Sequence, residues 1–496
     1  MPSVAGPLWE HAAARPDAVA VRAGADVWSY ARLRDASAAF GGELRARGVR
    51  TGDRVLLVAP TVPEFAVAYL GAHLIGAVVI TMNTMATTPE IDYVVEDSGA
   101  RLLVAWHEAR EPAQRVADER ALHLRVLGPG AAAEEGEPVH TPVDLDRQCT
   151  AVLLYTSGTT GRPKGVELTV ANLLDTARTL VEQLHLTAAD RCGTGLPLFH
   201  VFGQAVCLNL ALAAGCSISL LSPFDPTAML GMIRRDRLTL VAGVPTMWNA
   251  MLHAAGDFGP DDFADLRLAS SGGASLPGEV ISAFSERFGC TILEGYGLTE
   301  STAAATYHSP DHEQRVGSVG LPLPGTAVEV RGPDGDALPA GEVGEVYLRG
   351  PSVMKGYWNR PEETAADLAD GWLKTGDLGR LDEDGYLHIV DRVKDLIIRG
   401  GYNVYPREVE EVLYQHPDIV EVAVIGVPDE RYGEEVAAVI TARPGAEIAP
   451  EELRAWAKEQ LSAYKVPHLI RFVDALPKGA TGKIQKRALD WKALSA

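Results

Sequence analysis

Residues 155–165 read YTSGTTGRPKG. The apolar run 151–155 leads into this segment and is typical of a buried strand. Four hydroxyl side chains and two glycines follow within six residues, before Lys164 adds a positive charge. Glycines allow a backbone to approach a ligand closely, and hydroxyls and backbone N–H groups donate hydrogen bonds to phosphate oxygens. Because the apolar spacing becomes helical from Leu168, we expect a strand, a phosphate-binding loop and then a helix.

This loop differs from the common P-loop, whose motif is Gly-x4-Gly-Lys-Ser/Thr. In that motif the lysine stands between a glycine and a serine or threonine. Here Lys164 follows Pro163 and precedes Gly165. The glycines alone would favour a surface turn, whereas the lysine and the preceding strand favour a phosphate site. The eleven residues resemble the signature loop of the adenylate-forming enzymes, which include acyl-CoA synthetases, adenylation domains of peptide synthetases and luciferases. The resemblance implies that ATP is bound, with contacts from Thr156, Ser157, Gly158, Thr159 and Thr160.

Bulk composition narrows the possible functions. A chain of 496 residues is too long for one ordinary core, so two or more domains are expected. The net charge of −21 disfavours nucleic acid and anionic membranes as partners. Five widely spaced cysteines indicate neither a disulfide framework nor a zinc site, and a cytoplasmic location is expected. The apolar run 205–221 predicts a buried helix followed by a strand, and no integral membrane segment is expected.

Alternating helical and extended patterns over residues 1–150 predict an α/β fold with a parallel or mixed sheet. We expect helices at residues 8–14, 30–47 and 64–74 and strands at 18–22, 54–58 and 77–81. The predicted architecture is a large N-terminal α/β domain of several sheets, residues 1–391, joined by a hinge to a small mobile α+β domain, residues 392–496. We place the boundary in the segment DRVKDLI (391–397). Charged residues flank its few apolar residues, and this pattern suits an exposed connection between domains.

Further motifs agree with the resemblance in the expected order. In EGYGLTE (294–300), the glycines beside Tyr296 leave its ring free to stack on adenine, and the Glu300 carboxylate suits magnesium beside phosphates. A lone aspartate such as Asp377 is usually a surface residue, but the resemblance makes it the carboxylate that binds the ribose. The remaining nucleotide contacts implied by the resemblance are Gly273, Ala274, Glu294, Gly295, Gly297, Thr299 and Arg392.

The C-terminal motifs are assigned by the resemblance alone. Composition favours a solvated charge run for PKGATGKIQKR (477–487), yet the family places its catalytic lysine at the position of Lys483. That lysine would meet the carboxylate and the α-phosphate. Lys394 matches the hinge pivot. The turn Gly400-Gly401-Tyr402 would serve the second step, in which coenzyme A reacts.

The acid pocket is expected beside LPLFHVFG (196–203). A lone histidine in an apolar run is more often a core residue, but His200 matches the family's histidine at the acyl pocket. The other expected lining residues are Val201, Phe202, Gly203, Val244, Trp248, Gly272 and Gly295. Amino-acid-activating relatives carry an aspartate where residues 204–207 are uncharged, and malonyl-CoA synthetases carry an arginine where this chain has Gly295. We therefore expect Gly295 to leave room for a neutral apolar acid, aliphatic or polycyclic first and aryl second.

These motifs together predict an ATP-dependent carboxylic acid–CoA ligase that uses ATP, Mg²⁺ and coenzyme A. The resemblance implies an acyl-adenylate intermediate, with Lys483, Lys164, His200 and Thr299 in catalysis and Glu300 on the metal. One alternative is a ligase that loads a carrier protein, which we expect to act in trans. Another is a luciferase-like or non-catalytic relative, although the complete set of charged motif residues argues against a non-catalytic one. A homodimer is compatible with the sequence.

Overall fold

The computed structural model describes residues 2–156, 162–446, 448–489 and 491. Its strands, in chain order, are β1 (Val19–Ala23), β2 (Asp26–Ser29), β3 (Arg54–Val58), β4 (Val78–Met82), β5 (Leu102–Trp106), β6 (His123–Leu127), β7 (Thr150–Thr156), β8 (Lys164–Thr169), β9 (Arg191–Thr194), β10 (Ser217–Leu220), β11 (Leu240–Gly243), β12 (Leu268–Ser271), β13 (Ile292–Tyr296), β14 (Thr306–Tyr307), β15 (Leu321–Pro322), β16 (Ala327–Arg331), β17 (Gly344–Arg349), β18 (Gly356–Tyr357), β19 (Leu368–Ala369), β20 (Trp372–Leu381), β21 (Leu387–Arg392), β22 (Ile397–Arg399), β23 (Tyr402–Val404), β24 (Ile419–Asp429), β25 (Gly433–Ala442) and β26 (Leu469–Phe472).

The α-helices are α1 (Gly6–Ala14), α2 (Tyr30–Ala46), α3 (Pro63–Leu74), α4 (Thr88–Ser98), α5 (Arg110–Arg120), α6 (Val170–Gln183), α7 (Leu210–Ala214), α8 (Pro226–Asp236), α9 (Pro245–His253), α10 (Gly278–Phe288), α11 (Pro361–Asp367), α12 (Pro406–Tyr414) and α13 (Pro450–Lys458). A π-helix, Phe202–Asn209, leads directly into α7. The early helices and strands lie within one or two residues of the predicted bounds, and the run 205–221 forms a buried helix followed by strand β10, as predicted.

Two mixed sheets form most of the large domain. One has the order β15-β14-β13-β12-β11-β9-β10-β1-β2, and the other has the order β18-β8-β7-β4-β3-β5-β6. A main hydrophobic core lies between them and includes side chains of both sheets, such as Leu57 and Ala242. Helix α3 is buried along its whole length, because an apolar helix between two sheets has no face left for solvent. The predicted α/β class is confirmed.

The small domain has its own sheet and core. Its strand order is β23-β22-β25-β24, with β26 beside β25. Helices α12 and α13 each bury a leucine in this core, Leu413 and Leu453. Strand β21 still pairs with β20 of the large domain, and β22 belongs to the small domain, so the connection between the two lies at residues 393–396. The separate C-terminal domain is confirmed, while the boundary at 391/392 stays a prediction.

The phosphate loop joins two strands of a hairpin instead of a strand and a helix. Strands β7 and β8 pair antiparallel, with Thr156 opposite Lys164. Helix α6 starts only at Val170, because the Thr169 side chain accepts a hydrogen bond from the backbone N–H of Asn172 and caps the helix. The expectation of a helix directly after the loop is therefore wrong. Strand β8 is buried on both faces, so it lacks the alternation that would have revealed it.

None of the helices in the described ranges is long and apolar enough to cross a membrane.

Arg399 and Glu435 form a buried ion pair that holds β22 to β25. Arg399 Nε lies 2.5 Å from Glu435 Oε1 and its Nη2 lies 2.8 Å from Oε2, with both side chains about nine-tenths buried. Glu435→Ala should destabilise the small domain by roughly 3 kcal/mol, because it leaves a buried guanidinium unpaired. Urea unfolding measures this change.

The exposed pair Arg115–Glu111 provides the control for this variant. Glu111→Ala should change the free energy of unfolding by less than about 1 kcal/mol. A double variant, Arg399→Met with Glu435→Leu, should recover much of the stability lost in Glu435→Ala. Equal stability of Glu435→Ala and wild type would contradict the assigned role of the pair.

Candidate active site

The candidate site lies where parallel strands β11, β12 and β13 end, with a lysine of the small domain inserted among their loops. The carboxyl ends of neighbouring parallel strands form the usual ligand crevice of such sheets. A Cβ placed on Gly273 would lie 2.8 Å from Lys483 Cε and 3.0 Å from its Nζ. The Thr246 hydroxyl donates to the carbonyl of Gly482 at 2.8 Å, which fixes the lysine segment on the large domain. The structure thus brings Lys483 into the crevice.

Asp377, Tyr296 and Arg392 meet at one side of this crevice. The Tyr296 hydroxyl donates to Asp377 Oδ2 at 2.6 Å, and Arg392 Nε lies 3.1 Å from Asp377 Oδ1. Asp377 and Arg392 are also opposite each other in the β20–β21 register. Burial raises the pKa of Asp377, while the charge of Arg392 opposes that rise. A carboxylate and a guanidinium beside a tyrosine ring can bind the hydroxyls and ring of a nucleoside.

Lys164 and Glu300 meet at Tyr357. The ammonium of Lys164 lies 4.7 Å from the centre of the Tyr357 ring, and the Tyr357 hydroxyl donates to Glu300 Oε1 at 3.2 Å. Burial raises the pKa of Glu300. Its neighbour Thr299 starts a short 3-10 turn and is half-buried. A cation over the face of this ring and a carboxylate at its hydroxyl suit phosphates and a hard metal ion, respectively.

The middle of the phosphate loop, Ser157 to Gly161, lies outside the described residues, so the expected contacts of Ser157, Gly158, Thr159 and Thr160 stay predictions. Its two ends are anchored by residues that the sequence did not single out. Tyr155 donates to Asp97 Oδ2 at 2.7 Å, and Arg360 Nη2 donates to Asp97 Oδ1 at 2.5 Å. At the other end, the Tyr93 hydroxyl donates to the carbonyl of Pro163 at 2.7 Å. These anchors come from remote segments, so no local pattern could reveal them.

Lys483 lies close enough to His200 for its charge to act on the imidazole ring. Burial, and then the charge of Lys483, lower the pKa of His200 to about 3, so its ring is neutral at ordinary pH. Burial, and then the charge of Arg392, lower the pKa of Lys483 to about 8. Of the other predicted neighbours, Val244 Cγ1 lies 3.8 Å from a Cβ placed on Gly273, and Ala274 is exposed.

The expected acid pocket is lined by rings packed against glycines. A Cβ placed on Gly272 would lie 3.3 Å from Phe202 Cζ, and one on Gly295 would lie 2.4 Å from Tyr307 Cδ2. The expectation that Gly295 leaves open room is therefore wrong, since the Tyr307 ring fills that place. Tyr307 could not be identified from the sequence. It follows the adenine motif by seven residues and becomes a neighbour of Gly295 only because the two residues pair across strands β13 and β14.

Two further pocket predictions need correction. Trp248 is fully buried in a second core, where its ring meets Phe284 at 5.3 Å, so the expectation that it lines the acid pocket is wrong. A Cβ on Gly203 would lie 2.3 Å from the carbonyl oxygen of Pro197, so this glycine serves close backbone packing. Val201 is buried in the main core. Packing against neighbouring segments, which local sequence does not show, decided the positions of Trp248 and Gly203, and the expected role of Val201 stays a prediction.

Glu294 is a buried carboxyl at the edge of the crevice. Its Oε1 accepts the backbone N–H of Leu276 at 3.1 Å. Burial raises the pKa of Glu294 to about 7, against the charge of Arg407 in the small domain. The side chain thus supports the loop after β12, and its expected nucleotide contact stays a prediction. Gly297, three residues later, is required because a Cβ there would lie 2.3 Å from the carbonyl carbon of Ala303.

The expected hinge and the expected coenzyme A turn are at the surface. Lys394 is exposed in the turn between β21 and β22. Gly400 and Gly401 both have positive φ, 58° and 86°, and form the tight turn from β22 to β23. Tyr402 is 61% exposed and lies 4.9 Å from the ring of Tyr464. In this arrangement Lys483 occupies the crevice and the turn at 400–402 faces outward.

The chain was compared with known families, curated proteins and solved structures. A family described as AMP-binding enzyme matches residues 8–358, and its C-terminal domain matches residues 408–483. The chain belongs to this family. A feruloyl-CoA synthase from Amycolatopsis is 41% identical over 95% of both chains, and a long-chain-fatty-acid–CoA ligase from Bacillus subtilis is 34% identical over 90% of this chain and 86% of the relative.

Among solved structures, ATP-bound MatB from Rhodopseudomonas palustris has a TM-score of 0.91 and 35% identity, with 97% of each chain covered. The predicted membership of the adenylate-forming superfamily is confirmed, as is the prediction of an AMP-forming acid–thiol ligase. ATP- and AMP-binding follow from the same family.

The lowered pKa of Lys483 predicts a pH limit on the first half-reaction. With a pKa of about 8, the ammonium is charged below pH 8 and neutral above it in the free enzyme. Since kcat/KM reports free-enzyme ionisations, kcat/KM for ATP in pyrophosphate exchange should fall as pH rises through this range. Lys483→Arg, which keeps its charge, should be slower but lack this alkaline limb. The same limb in Lys483→Arg would assign it to another group.

Proposed function

We propose that this protein activates a neutral carboxylic acid with ATP and transfers the acyl group to coenzyme A. The observation that carries the proposal is the position of Lys483 against Gly273, in the crevice that also contains the Asp377–Arg392 pair. A cation from a second domain reaches the end of the β12 strand, where a nucleotide and an acid would meet. Family membership supports the reaction class.

In the first step the acid's carboxylate oxygen attacks the α-phosphorus of ATP, and pyrophosphate leaves. Negative charge builds up on the phosphorus oxygens during this step. Lys483 and Lys164 would stabilise it electrostatically, since both amines are held in place before the reaction. Neutral His200 would help to position the carboxylate. Tyr296, Asp377 and Arg392 would hold the adenosine.

Mg²⁺ fits the residues at the phosphate end. Glu300 offers a half-buried carboxylate whose Oε1 is oriented by the Tyr357 hydroxyl at 3.2 Å. One protein carboxylate is a typical share for Mg²⁺, which takes its other ligands from phosphates and water. When bound, the ion would offset phosphate charge. Glu300 would hold it, and Tyr357 would fix the carboxylate's orientation.

In the second step a thiol sulfur attacks the acyl carbon, and AMP leaves. Lys483 occupies the crevice in the present orientation, so a rotation of the small domain about Lys394 would withdraw it and present Gly400, Gly401 and Tyr402. Coenzyme A is the proposed thiol because the relatives reported above are named as CoA ligases and synthases. A carrier protein supplied in trans is the second candidate, and a cytoplasmic location is expected for either.

The proposed acid is neutral and largely apolar. The expected pocket residues Phe202 and Val244 lie in the main hydrophobic core, as does Tyr307, and a carboxylate bound among them would be costly without a partner. Tyr307 fills the space beside Gly295 that a long or polycyclic acid would have used. An aryl acid is therefore the favoured substrate. Thioester formation with free coenzyme A over a panel of acids tests this proposal.

Lys483→Ala should nearly abolish acyl-adenylate formation, by about 100-fold or more, because it removes a preorganised charge from the transition state. Thioester formation from pre-made acyl-adenylate should be affected only slightly, since Lys483 leaves the crevice before that step. Pyrophosphate exchange and single-turnover thioester assays measure the two halves. Equal losses in both would contradict the proposed division of labour.

Lys394→Pro should fix φ at the proposed pivot and hold the small domain in one orientation. Pyrophosphate exchange should survive while overall CoA ligation falls sharply. Lys394→Ala is the matched control, because it removes the side chain and leaves φ free. If Lys394→Pro carried out both half-reactions at wild-type rates, the pivot would lie elsewhere.

A further inference from the structure

Helix α9 of the large domain has a polar face. Its residues Thr246, Asn249 and His253 follow the spacing i, i+3 and i+7, which places them on one side of a helix. Trp248 and Met251 lie on the opposite side and are buried in the second core. The apolar side therefore anchors α9 in the large domain, and the polar face of α9 is left to contact another part of the molecule.

The small domain lies against this polar face. In the middle of the helix, Asn249 Nδ2 donates a hydrogen bond to the carbonyl of Val420 at 2.9 Å. At the C-terminal end, burial lowers the pKa of His253, the charge of Arg443 adds to that effect and the charge of Glu421 opposes it. All three partners belong to the small domain, and they come from the two ends of its β24–β25 pair.

Val420 lies at an irregular position in strand β24. The register passes from Ile419 opposite Ala442 directly to Glu421 opposite Thr441, so Val420 is the extra residue of a β-bulge. The extra residue of a bulge is left out of the regular ladder, and bulges redirect the groups that they carry. The bulge therefore explains how a carbonyl in the middle of the small-domain sheet edge reaches a side chain of α9.

The bulge is connected to the segment that carries the catalytic amine. Glu421, the residue after the bulge, forms an ion pair with Lys478 at 2.7 Å, and the Glu421 side chain is only 10% exposed. Lys478 forms an antiparallel bridge with Ile484, and the backbone N–H of Gly479 donates to the carbonyl of Lys483 at 2.8 Å. Lys483 thus belongs to a closed hairpin whose first residue is held beside the bulge.

We infer that the polar face of α9 is the docking site of the small domain in its present orientation, and that Asn249 is a positioning residue for Lys483. The inference rests on the proposed acid–CoA ligase function. Asn249 acts through the protein and not on the reacting groups: it holds the bulge of β24, and the bulge holds Lys478 through Glu421. The hairpin that begins at Lys478 then brings Lys483 to Gly273.

The hydrogen bond of Asn249 stabilises only one of the two proposed orientations. Asn249 belongs to the large domain and Val420 to the small domain, so a rotation of the small domain about Lys394 separates them. Loss of the bond should leave Lys483 outside the crevice in a larger share of enzyme molecules. One hydrogen bond of ordinary strength shifts such an equilibrium by roughly 3- to 10-fold.

The first experiment compares the two half-reactions in Asn249→Ala. The kcat of pyrophosphate exchange should fall by about five-fold, while KM for ATP should change by less than about two-fold. KM is spared because Tyr296, Asp377 and Arg392, which are proposed to hold the adenosine, all belong to the large domain. Thioester formation from pre-made acyl-adenylate should be as fast as in wild type or faster, since that step uses the other orientation.

Two further variants sharpen the comparison. Asn249→Asp keeps the size of the side chain but turns a carboxylate oxygen toward the carbonyl of Val420, so it should lose at least as much exchange activity as Asn249→Ala. Gln114→Ala is the matched control, because Gln114 Nε2 donates to Asp118 at 2.9 Å within helix α5 and does not reach the small domain. It should keep both wild-type rates, and melting temperatures confirm that each variant is folded.

A distance measurement tests the docking site without any substrate. Cys149 is exposed on the large domain, the other cysteines are buried, and Glu430 is exposed on the small domain. A pair of fluorophores on Cys149 and on the cysteine of Glu430→Cys therefore reports the separation of the two domains. Single-molecule energy transfer should show a larger share of altered distances in Asn249→Ala than in wild type or Gln114→Ala.

Unchanged exchange activity and unchanged distances in Asn249→Ala would overturn the inference. Equal losses in both half-reactions, or the same loss in Gln114→Ala, would overturn it as well, because they would indicate a general defect. A wild-type protein without pyrophosphate exchange on any acid would reject the proposed function and the positioning role of Asn249. In that case, altered distances in Asn249→Ala would still support the docking site, and unaltered distances would overturn it.

Discussion

The contact between Lys483 and the backbone at Gly273 is the constraint on which the arrangement of the two domains depends. The amine reaches this point only because Gly273 has no side chain and adopts a φ of 83°, which other residues rarely accept. Strand β12 has ended at Ser271, two residues earlier, and the small domain lies over the crevice at this contact. Burial at this contact lowers the pKa of Lys483. The position that brings the lysine into the crevice therefore also reduces the fraction of the amine that is protonated. Bound phosphates, which favour the charged form, would restore it.

The sequence predicted the broad fold well. Helix α3 and strand β3 are continuous apolar runs between clear breaks, so their bounds follow from local pattern. Asp377 and Lys483 stand in contiguous motifs and both lie at the crevice, while the roles that those motifs imply stay predictions. The positions that the sequence did not predict share a cause. Strand β8 is buried on both faces, and Tyr307 meets Gly295 only across a strand pair, so neither position depends on nearby sequence.

The acid pocket shows why a glycine is an unreliable sign of open space. Gly295, Gly272 and Gly203 all lack side chains, yet Tyr307, Phe202 and the backbone of Pro197 occupy the places where side chains would be. A glycine records that something approaches closely, and only the folded chain identifies what it is. Here two of the three neighbours are aromatic rings, so apolar groups fill the places that the missing side chains would have taken.

The pairing of Asp377 with Arg392 across β20 and β21 has a consequence for the fate of the intermediate. Both residues belong to the sheet of the large domain, and Arg392 lies before Lys394 in the chain. A rotation about Lys394 would leave their 3.1 Å contact intact, so the adenosine of an acyl-adenylate would stay held while the small domain moves. The mixed anhydride, which water destroys, would then not be lost to solvent between the two steps. The cell would spend one ATP for each thioester, without a futile cycle of activation and hydrolysis.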